Sequence, residues 1–268
     1  MKKVLTIAGS DSGAGAGIQA DLKAIAAMGV YGTSAITSIT AQNTIGVRQV
    51  FNLPISIIEA QVDAVLEDIG ADAIKTGMLA TGEIISLVAR KIKEYHIEKL
   101  VVDPVMVATS GDALLEREAV GAIISELIPL AMVVTPNMKE AEILTGLTLE
   151  SEADMEAAAQ KIFAMGPHNV VIKGGHRKED ALDIIYNGRE FLYLRGKRVA
   201  TKNNHGTGCT YSAVMAALLA QGFLPFEAAA RAKEYVTAGL ENSLDIGKGR
   251  GPVDHFYFLD KWPCKMAD

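Results

Sequence analysis

A glycine-rich segment that carries a cysteine, NHGTGCT at residues 204–210, directly precedes a helical pattern that runs to Gln221. Glycines let backbone N–H groups approach a ligand closely, and the first amides of a helix attract anions. Gly206 and Gly208 are therefore predicted to form an anion hole, suited to a phosphoryl group that gains charge during transfer. The same field favours the thiolate of Cys209, so we expect its sulfur to accept a proton from an attacking hydroxyl, or to hydrogen-bond to it. Alternatively, Cys209 is a small buried residue behind a tight turn.

A second glycine-rich segment, GSDSGAGAG at residues 9–17, follows a strand-like run and opens another helical pattern. Residues 15–20 match G-x-G-x-x-A, a fingerprint of dinucleotide-binding folds. Such folds also need an acidic residue about 20 positions later to hold a ribose hydroxyl. Because no Asp or Glu occurs between Asp21 and Glu59, the sequence disfavours an oxidoreductase that uses NAD.

Asp21 lies on the apolar face of the helix that follows this segment. Ile18, Leu22 and Ile25 form a stripe at helical spacing, and Asp21 falls on the same face. A carboxylate there needs a partner, because an unpaired buried charge is costly. We expect Asp21 to contact a ligand at the carboxyl edge of a sheet, where α/β folds bind ligands. The alternative is that it accepts hydrogen bonds from backbone amides in the first helical turn.

The elements that must position these residues alternate between strand-like and helix-like segments, which predicts repeated βα units and an α/β fold. Several strand candidates are continuous apolar runs, as in strands buried on both faces of a parallel sheet. After Lys173 the pattern changes to that of an antiparallel β-meander with a turn at residues 187–188. The predicted strands are residues 3–8, 34–39, 72–76, 99–103, 132–135, 169–173 and, in the meander, 182–186, 190–195 and 197–201. The predicted helices are residues 15–28, 55–69, 82–95, 116–128, 138–144, 151–165, 209–221 and 226–240.

Length and composition limit the class of protein. The chain has 268 residues, 49% of them hydrophobic, and without a repeat or linker we predict a single domain over residues 1–268. The net charge of −6 provides no basic field for nucleic acid. No apolar run approaches the ~20 residues that a membrane helix needs. The two distant cysteines, Cys209 and Cys264, and an N-terminus unlike a secretory signal lead us to expect a cytoplasmic protein.

Two common ATP-binding signatures are absent from the sequence, namely the P-loop motif and the motif set of protein kinases. Five other segments together resemble the hydroxymethylpyrimidine/phosphomethylpyrimidine kinases of thiamine biosynthesis, within the ribokinase-like superfamily. The resemblance covers nearly the whole chain, and the segments that carry it are residues 8–21, 75–78, 103–106, 135–142 and 205–209. It implies a three-layer α/β/α fold with a mostly parallel central sheet and a C-terminal β-meander.

The resemblance also implies a role for each matching position. Cys209 stands where most members of the superfamily carry an aspartate base, and Gly206 and Gly208 match the anion hole. The residues implied to contact the pyrimidine are Gly9, Asp21, Gln42, Met78 and Val105. Those implied to bind ATP are Asp103, Lys173 and Thr207, and those implied to organise Mg²⁺ are Asp103 and Glu140. Oxygen ligands of this kind suit Mg²⁺, which bridges phosphates and keeps much of its water.

Each of these positions also has a purely structural interpretation. Asp103 precedes a proline, where a carboxylate can cap a turn. Glu140 can lie in the first turn of a helix, where its charge is favoured anyway. Lys173 can be a solvated strand end, and Met78 can fill the core. His205 is expected to shape the anion-hole loop rather than to catalyse.

Gln42 bears on the choice of substrate. Its neutral amide offers donors and an acceptor that complement the edge of an aminopyrimidine, although residues 41–44 can also be a simple polar turn. Relatives that favour pyridoxal differ at this segment. We therefore expect phosphorylation of 4-amino-5-hydroxymethyl-2-methylpyrimidine and of its monophosphate, with a pyridoxal, pyridoxine or dual-specificity kinase as the alternative. A non-catalytic binding protein on the same fold is a further alternative, and the resemblance implies a homodimer.

Overall fold

A computed structural model describes residues 1–106, 116, 119–175 and 181–259 of the chain, and strands and helices alternate through them. The strands are β1 (Lys3–Asp11), β2 (Tyr31–Gln42), β3 (Val47–Asn52), β4 (Ala73–Thr76), β5 (Leu100–Val102), β6 (Val133–Val134), β7 (Val170–Lys173), β8 (Asp183–Tyr186) and β9 (Phe191–Leu194). The helices are α1 (Gly17–Ala27), α2 (Ile55–Asp68), α3 (Gly82–Glu94), α4 (Ala119–Ala122), α5 (Met138–Thr145), α6 (Glu152–Phe163), α7 (Thr207–Gln221) and α8 (Pro225–Glu241).

These strands form one sheet in the order β3-β2-β1-β4-β5-β6-β7-β8-β9. The six strands from β2 to β7 in that order pair in parallel, whereas β3, β8 and β9 pair antiparallel with their neighbours. The mostly parallel sheet that the apolar runs predicted is therefore confirmed.

Side chains on successive strand residues point to opposite faces of the sheet, and helices cover both faces. On β1, for example, Leu5 and Ile7 belong to the core beneath α2 to α6, while Val4 belongs to the core beneath α1, α7 and α8. Burying one such side chain stabilises the fold by roughly 1.5–3 kcal/mol. Two cores on the two faces of one sheet confirm the predicted three-layer α/β/α architecture.

The parallel strands bring polar residues to one edge of the sheet. Asp11 ends β1, Thr76 ends β4 and Lys173 ends β7, while Asp103 directly follows β5. Because carboxyl ends of parallel strands share an edge, residues far apart in sequence meet there. The loops at this edge include both glycine-rich segments.

The predicted β-meander is only partly right. β8 and β9 form a hairpin whose turn contains Gly188 at a φ of +87°. The predicted third strand, residues 197–201, is wrong, since β9 is the edge strand and the amide of Thr201 bonds locally to the carbonyl of Val199. The residues of this segment line the cavity described below.

At the opposite edge the structure contains a strand that sequence reasoning missed. β3 pairs antiparallel with β2, which extends to Gln42 instead of ending near Ile39. Most of β3 is exposed, so its sequence lacks the alternation of apolar and polar residues that identifies a half-buried strand. The turn expected at residues 41–44 begins later, at Asn43, whose side-chain oxygen accepts from the amides of Ile45 and Gly46.

The helix predicted over residues 116–128 is also different. The described part consists of α4, a wider turn at Ile123–Leu127 and a tight turn at Ile128–Leu130. Pro129 lies in the tight turn, and the missing amide of proline favours such an irregular helix end. Residues 107–115 and 117–118 lie outside the described part, as does Cys264.

Among the described residues, helices are too short or too polar to span a bilayer. The single domain expected over residues 1–268 stays a prediction.

Candidate active site

A cavity of about 1160 Å³ opens at the carboxyl edge of the parallel strands. Its walls come from the ends of β1, β2, β4, β5 and β7, from both glycine-rich segments and from α8. All the predicted site residues except Asp21 line it, namely Gly9, Gln42, Met78, Asp103, Val105, Glu140, Lys173, Gly206, Thr207, Gly208 and Cys209. The structure thus brings together residues that the sequence spreads over some 200 positions.

The predicted anion hole lies at the first turn of α7. Gly206 precedes the helix in the left-handed conformation, at a φ of +78°, and a Cβ atom there would lie 1.8 Å from the carbonyl oxygen of Gly15. Only glycine fits this position, because both the backbone and the space exclude a side chain. α7 begins at Thr207, two residues earlier than predicted. Gly208 and Cys209 therefore contribute the second and third helical amides, which have no acceptor within their own helix.

Cys209 is half-buried at this helix end, and burial affects its protonation. Burial, assisted by the carboxylates of Asp21 and Asp103, raises the pKa of the thiol to about 12. The ammonium of Lys75 and the amide of Gly17 act in the opposite direction but are outweighed. Desolvation therefore opposes the thiolate that the helix field was expected to favour. The interpretation of Cys209 as buried filler is wrong, because it lines the cavity.

Asp21 lies behind the cavity, where it pairs with a lysine that sequence reasoning missed. Lys75 Nζ donates to both carboxylate oxygens at 2.9 and 2.8 Å, and Thr6 Oγ1 donates at 2.6 Å. Both charged side chains are fully buried. Asp21 is not in the first turn of α1, so the capping interpretation is wrong. The lysine had a signal in the sequence, because it interrupts an apolar strand at residues 73–76.

Lys75 is part of the cavity floor. Although desolvation alone favours the neutral amine, the carboxylate of Asp21 outweighs it and raises the pKa of Lys75, with help from Asp103. The charged ammonium therefore persists without solvent contact. It places a fixed positive charge beneath the thiol.

Asp103 and Lys173 form a second ion pair, with 2.9 Å between Lys173 Nζ and Asp103 Oδ1. The other carboxylate oxygen of Asp103 accepts from Ser212 Oγ at 3.1 Å. Desolvation opposes the charge of Asp103, but the ammonium groups of Lys173 and Lys75 keep its pKa below the ordinary value. The structural interpretation of Lys173 as a solvated strand end is wrong, because its side chain is 13% exposed and paired.

Glu140 lies in the first turn of α5, as its structural interpretation expects. Its Oε2 accepts from the amide of Asn137 at 2.8 Å, and Asn137 Oδ1 accepts from the amide of Glu140 at 3.0 Å, which forms a capping box on α5. It also lines the cavity. Burial raises the pKa of Glu140 to about 7, although Lys173 acts to lower it. This carboxyl therefore changes charge near neutral pH.

Asp11 joins the two glycine-rich segments and was not singled out from the sequence. Its carboxylate accepts from the amides of Gly13, Gly15 and Ala16 at 2.8, 3.1 and 2.9 Å. His205 Nε2 lies 2.8 Å from Asp11 Oδ2. Burial opposes the charge, but His205 and these amides lower the pKa of Asp11. His205 thus shapes the loop, as expected.

The end of the cavity beyond Lys173 is more apolar. The lining there includes Val236 and Leu240 of α8 together with Val199 and Ala200, which belong to the segment predicted as a third meander strand. Asp183 and Lys233 pair beside them at 3.0 Å. The arrangement has the features of many small-molecule sites, a largely apolar recess with a few fixed polar groups.

Comparison with known proteins places this cavity in context. A model of the family described as phosphomethylpyrimidine kinase matches residues 11–254 of the chain. A hydroxymethylpyrimidine/phosphomethylpyrimidine kinase of Rhizobium meliloti (strain 1021) is 51% identical over 257 residues, covering 94% of this chain and 96% of that protein.

Solved structures are similar over the same length. A pyridoxal kinase from Staphylococcus aureus in complex with AMP-PCP and pyridoxal superimposes with a TM-score of 0.90 and 41% identity, covering 97% of this chain and 96% of that one. A phosphomethylpyrimidine kinase from Clostridium difficile 630 gives a TM-score of 0.79 and 44% identity, covering 88% and 98% of the two chains. The similar proteins thus carry two substrate names, a pyrimidine and pyridoxal.

Proposed function

The chain belongs to the phosphomethylpyrimidine kinase family, with its ribokinase-like fold, and we propose that it transfers the γ-phosphoryl group of ATP to a pyrimidine alcohol. The alcohol is 4-amino-5-hydroxymethyl-2-methylpyrimidine, and its monophosphate is the second substrate, giving the diphosphate used in thiamine biosynthesis. The Rhizobium meliloti protein named hydroxymethylpyrimidine/phosphomethylpyrimidine kinase is 51% identical to the chain.

One observation carries the proposal. The start of α7, with Gly208 and Cys209, lines one cavity together with the Asp103–Lys173 pair and the residues that the family resemblance assigns to the pyrimidine. We call the four residues assigned to the pyrimidine the ring pocket, namely Gly9, Gln42, Met78 and Val105, and all four line the cavity. Phosphoryl transfer depends mainly on positioning and charge stabilisation, which this arrangement offers.

In the proposed reaction, the alcohol oxygen bonds to the γ-phosphorus while the bond to the β-phosphate oxygen breaks. The amides of Gly208 and Cys209 stabilise the charge on the transferred group, and Lys173 neutralises charge on the phosphates. Because the thiol of Cys209 keeps its own proton, its sulfur positions the hydroxyl through a hydrogen bond. The hydroxyl proton passes to an oxygen of the transferred phosphoryl group, since a loose transition state leaves little need for a base.

The carboxylates of the site supply few direct ligands for Mg²⁺. Among the described residues, no group of three or more His, Cys, Asp or Glu side chains could hold a metal ion. Asp103 and Glu140 are two carboxylates beside the same lysine, which suits an ion bound mainly through water and phosphate oxygens. When bound with ATP, Mg²⁺ would neutralise phosphate charge.

The alternative substrate, pyridoxal, has its own support in the similarity to the Staphylococcus aureus enzyme. Gln42 favours the pyrimidine, because its amide is complementary to an amine beside a ring nitrogen. A competition assay with ATP and equal amounts of both alcohols decides between them. We expect the pyrimidine to be phosphorylated first, and preferential phosphorylation of pyridoxal would reverse the assignment.

We further propose a cytoplasmic homodimer with no nucleic-acid or membrane partner. An exposed apolar surface at the β3 edge suits such an interface, with Ile39 of β2 paired directly with Phe51 of β3. Analytical ultracentrifugation tests the assembly, and replacing Phe51 with Lys should yield the monomer.

Substitution of Cys209 tests whether its side chain positions the hydroxyl or acts as a base. Cys209→Ala should lower kcat about 10²-fold, the order of effect of a misplaced reactant, with the KM for ATP nearly unchanged. Cys209→Ser, which keeps a hydrogen-bonding group, should lose less activity.

The pH dependence of kcat in the wild type completes this test. A reactive thiolate with a pKa of about 12 would make kcat rise about tenfold per pH unit through neutral pH. We expect no such rise. A tenfold rise per unit that disappears in Cys209→Ala would show that Cys209 is a base, and near-normal turnover of Cys209→Ala would remove it from the reaction.

A further inference from the structure

The side-chain amide of Gln42 lies between two buried polar groups at the wall of the ring pocket. Its Oε1 lies 3.1 Å from Thr40 Oγ1, and its Nε2 lies 3.4 Å from His205 Nε2. Thr40 is 4% exposed and His205 is 7% exposed. Because water has little access to either group, the direction of each hydrogen bond matters.

Thr40 has one hydroxyl proton and two carbonyl oxygens near it. The hydroxyl oxygen lies 3.0 Å from the backbone carbonyl oxygen of Ser10 and 3.1 Å from Gln42 Oε1. Both of these oxygens are acceptors, and one proton cannot serve both. With its proton on Ser10, the hydroxyl can only accept from Gln42, which requires that the NH₂ group of the amide face Thr40.

The same conclusion follows from His205. Asp11 is a carboxylate that already accepts from three backbone amides, and His205 Nε2 lies 2.8 Å from it. At that distance Nε2 must carry a proton and donate it to Asp11. An NH₂ group of Gln42 beside this N–H would place donor against donor. A carbonyl oxygen in that position removes this donor–donor contact and faces the positive end of the N–H bond, although the proton itself stays on the hydrogen bond to Asp11.

A rotation of the amide by 180° exchanges its oxygen and nitrogen with almost no change in shape. In that orientation the NH₂ group donates to Thr40, and no donor faces the N–H of His205. We propose that Thr40 and the Asp11–His205 pair are positioning residues that hold Gln42 with its NH₂ group towards Thr40 and its carbonyl oxygen towards His205. They lie on three separate elements, β2, the end of β1 and the loop before α7.

A fixed amide selects among ligands. In this orientation Gln42 keeps one N–H and one oxygen lone pair for the cavity, with the donor on the Thr40 side. An aminopyrimidine edge, with a ring nitrogen beside an amine, matches that pair in one direction only. The ring therefore enters with its nitrogen towards Thr40 and its amine towards His205. This half of the inference rests on the proposed function, whereas the orientation of the amide does not.

Nuclear Overhauser effects test the orientation without any substrate. In protein labelled on the glutamine side-chain nitrogens, we expect cross-peaks from the Gln42 NH₂ protons to the methyl group of Thr40. Gln42→Ala identifies the resonances by their loss. Cross-peaks to the ring protons of His205, with none to the Thr40 methyl group, would overturn the proposal.

A double-mutant cycle tests the effect on the ligand. Thr40→Val, which keeps the shape of the side chain, should raise the KM for the pyrimidine about 3- to 10-fold, the range for one neutral hydrogen bond. The KM for ATP should not change, and Thr40→Ser should restore the lower KM for the pyrimidine. In a Gln42→Ala background, Thr40→Val should have no further effect, because it acts through Gln42.

The outcomes separate the two proposals. Equal effects of Thr40→Val with and without Gln42 would overturn the positioning role even if the wild type phosphorylates the pyrimidine. No phosphorylation of the pyrimidine by the wild type would reject the proposed function. In that case the cross-peaks alone decide the orientation of the amide.

Discussion

Two lysine–aspartate pairs lie at the same edge of the sheet, one sealed and one open. In the sealed pair, Lys75 and Asp21 are 2.8 Å apart and both side chains are fully buried. In the open pair, Lys173 and Asp103 are 2.9 Å apart, and Lys173 remains 13% exposed on the cavity. The difference indicates that the first pair supports the floor of the site, whereas Lys173 of the second pair can also bind a ligand in the cavity.

The environment of each pair explains this division. The Asp21 carboxylate receives hydrogen bonds from both Lys75 and Thr6, so its oxygens are engaged within the protein. Lys173 lies beside Glu140 as well as Asp103, and all three line the cavity. A fully buried pair resists loss of either partner, because the remaining charge has no solvent.

The largest effect should come from breaking the sealed pair. Lys75→Met leaves Asp21 buried without its cation, and we expect the free energy of unfolding to fall by about 3–5 kcal/mol, measured by denaturant titration. The matched double variant Asp21→Leu with Lys75→Met removes both charges and should recover much of that loss. A change below ~1 kcal/mol in Lys75→Met would mean that the pair is not sealed in solution.

Breaking the open pair should mainly affect activity. Lys173→Met should lower kcat/KM for ATP about 10²- to 10³-fold, the size of effect seen when one group that stabilises transferred charge is removed. Its loss of unfolding free energy should be smaller than that of Lys75→Met, because Asp103 keeps its bond from Ser212. Steady-state kinetics beside denaturant titration measures both, with Lys2→Met as the control at an exposed lysine. A stability loss equal to that of Lys75→Met would erase the distinction between the pairs.

The smallest effect concerns Glu140, which borders the open pair. Burial raises the pKa of Glu140 in the folded protein to about 7, above its unfolded value, so the folded state binds the extra proton. The corresponding stability is present at low pH and is lost as pH rises from about 4.5 to about 7, by no more than ~3 kcal/mol. Glu140→Gln cannot titrate and should flatten the profile in this window.

The measurement is the free energy of unfolding between pH 4 and 8 for wild type and Glu140→Gln. Identical profiles for the two proteins would show that Glu140 does not titrate there. A Lys173→Met variant that keeps Glu140 sharpens the result. Loss of the nearby ammonium should raise the pKa of Glu140 and so move the midpoint of the stability change to higher pH.

Much of the fold was accessible from sequence because its signals are local. Continuous apolar runs such as residues 100–102 identified buried parallel strands, and glycines at residues 206 and 208 identified the start of a helix. β3 was missed because an exposed edge strand carries no burial pattern. Residues 197–201 were assigned wrongly because a strand needs a neighbour, which local sequence does not reveal.

The candidate site shows the same difference between local signals and contacts with distant residues. The predicted site residues came from motifs and resemblance, and all of them except Asp21 line one cavity. Their partners did not come from the sequence, since Asp21 and Lys75 are 54 residues apart and Asp11 and His205 are 194 apart. Such pairs form only when parallel strands bring their ends to one edge.

The sequence by itself determined which backbone conformations are possible, including the left-handed turn at Gly206 that directs helix amides towards the cavity. Tertiary structure decided which charges meet, and by burying Cys209 it raises the pKa of a thiol whose thiolate the helix end was expected to favour. The physical reason is that conformational preference acts between neighbours along the chain. Desolvation and pairing depend on everything that packs around a group, wherever it lies in the sequence.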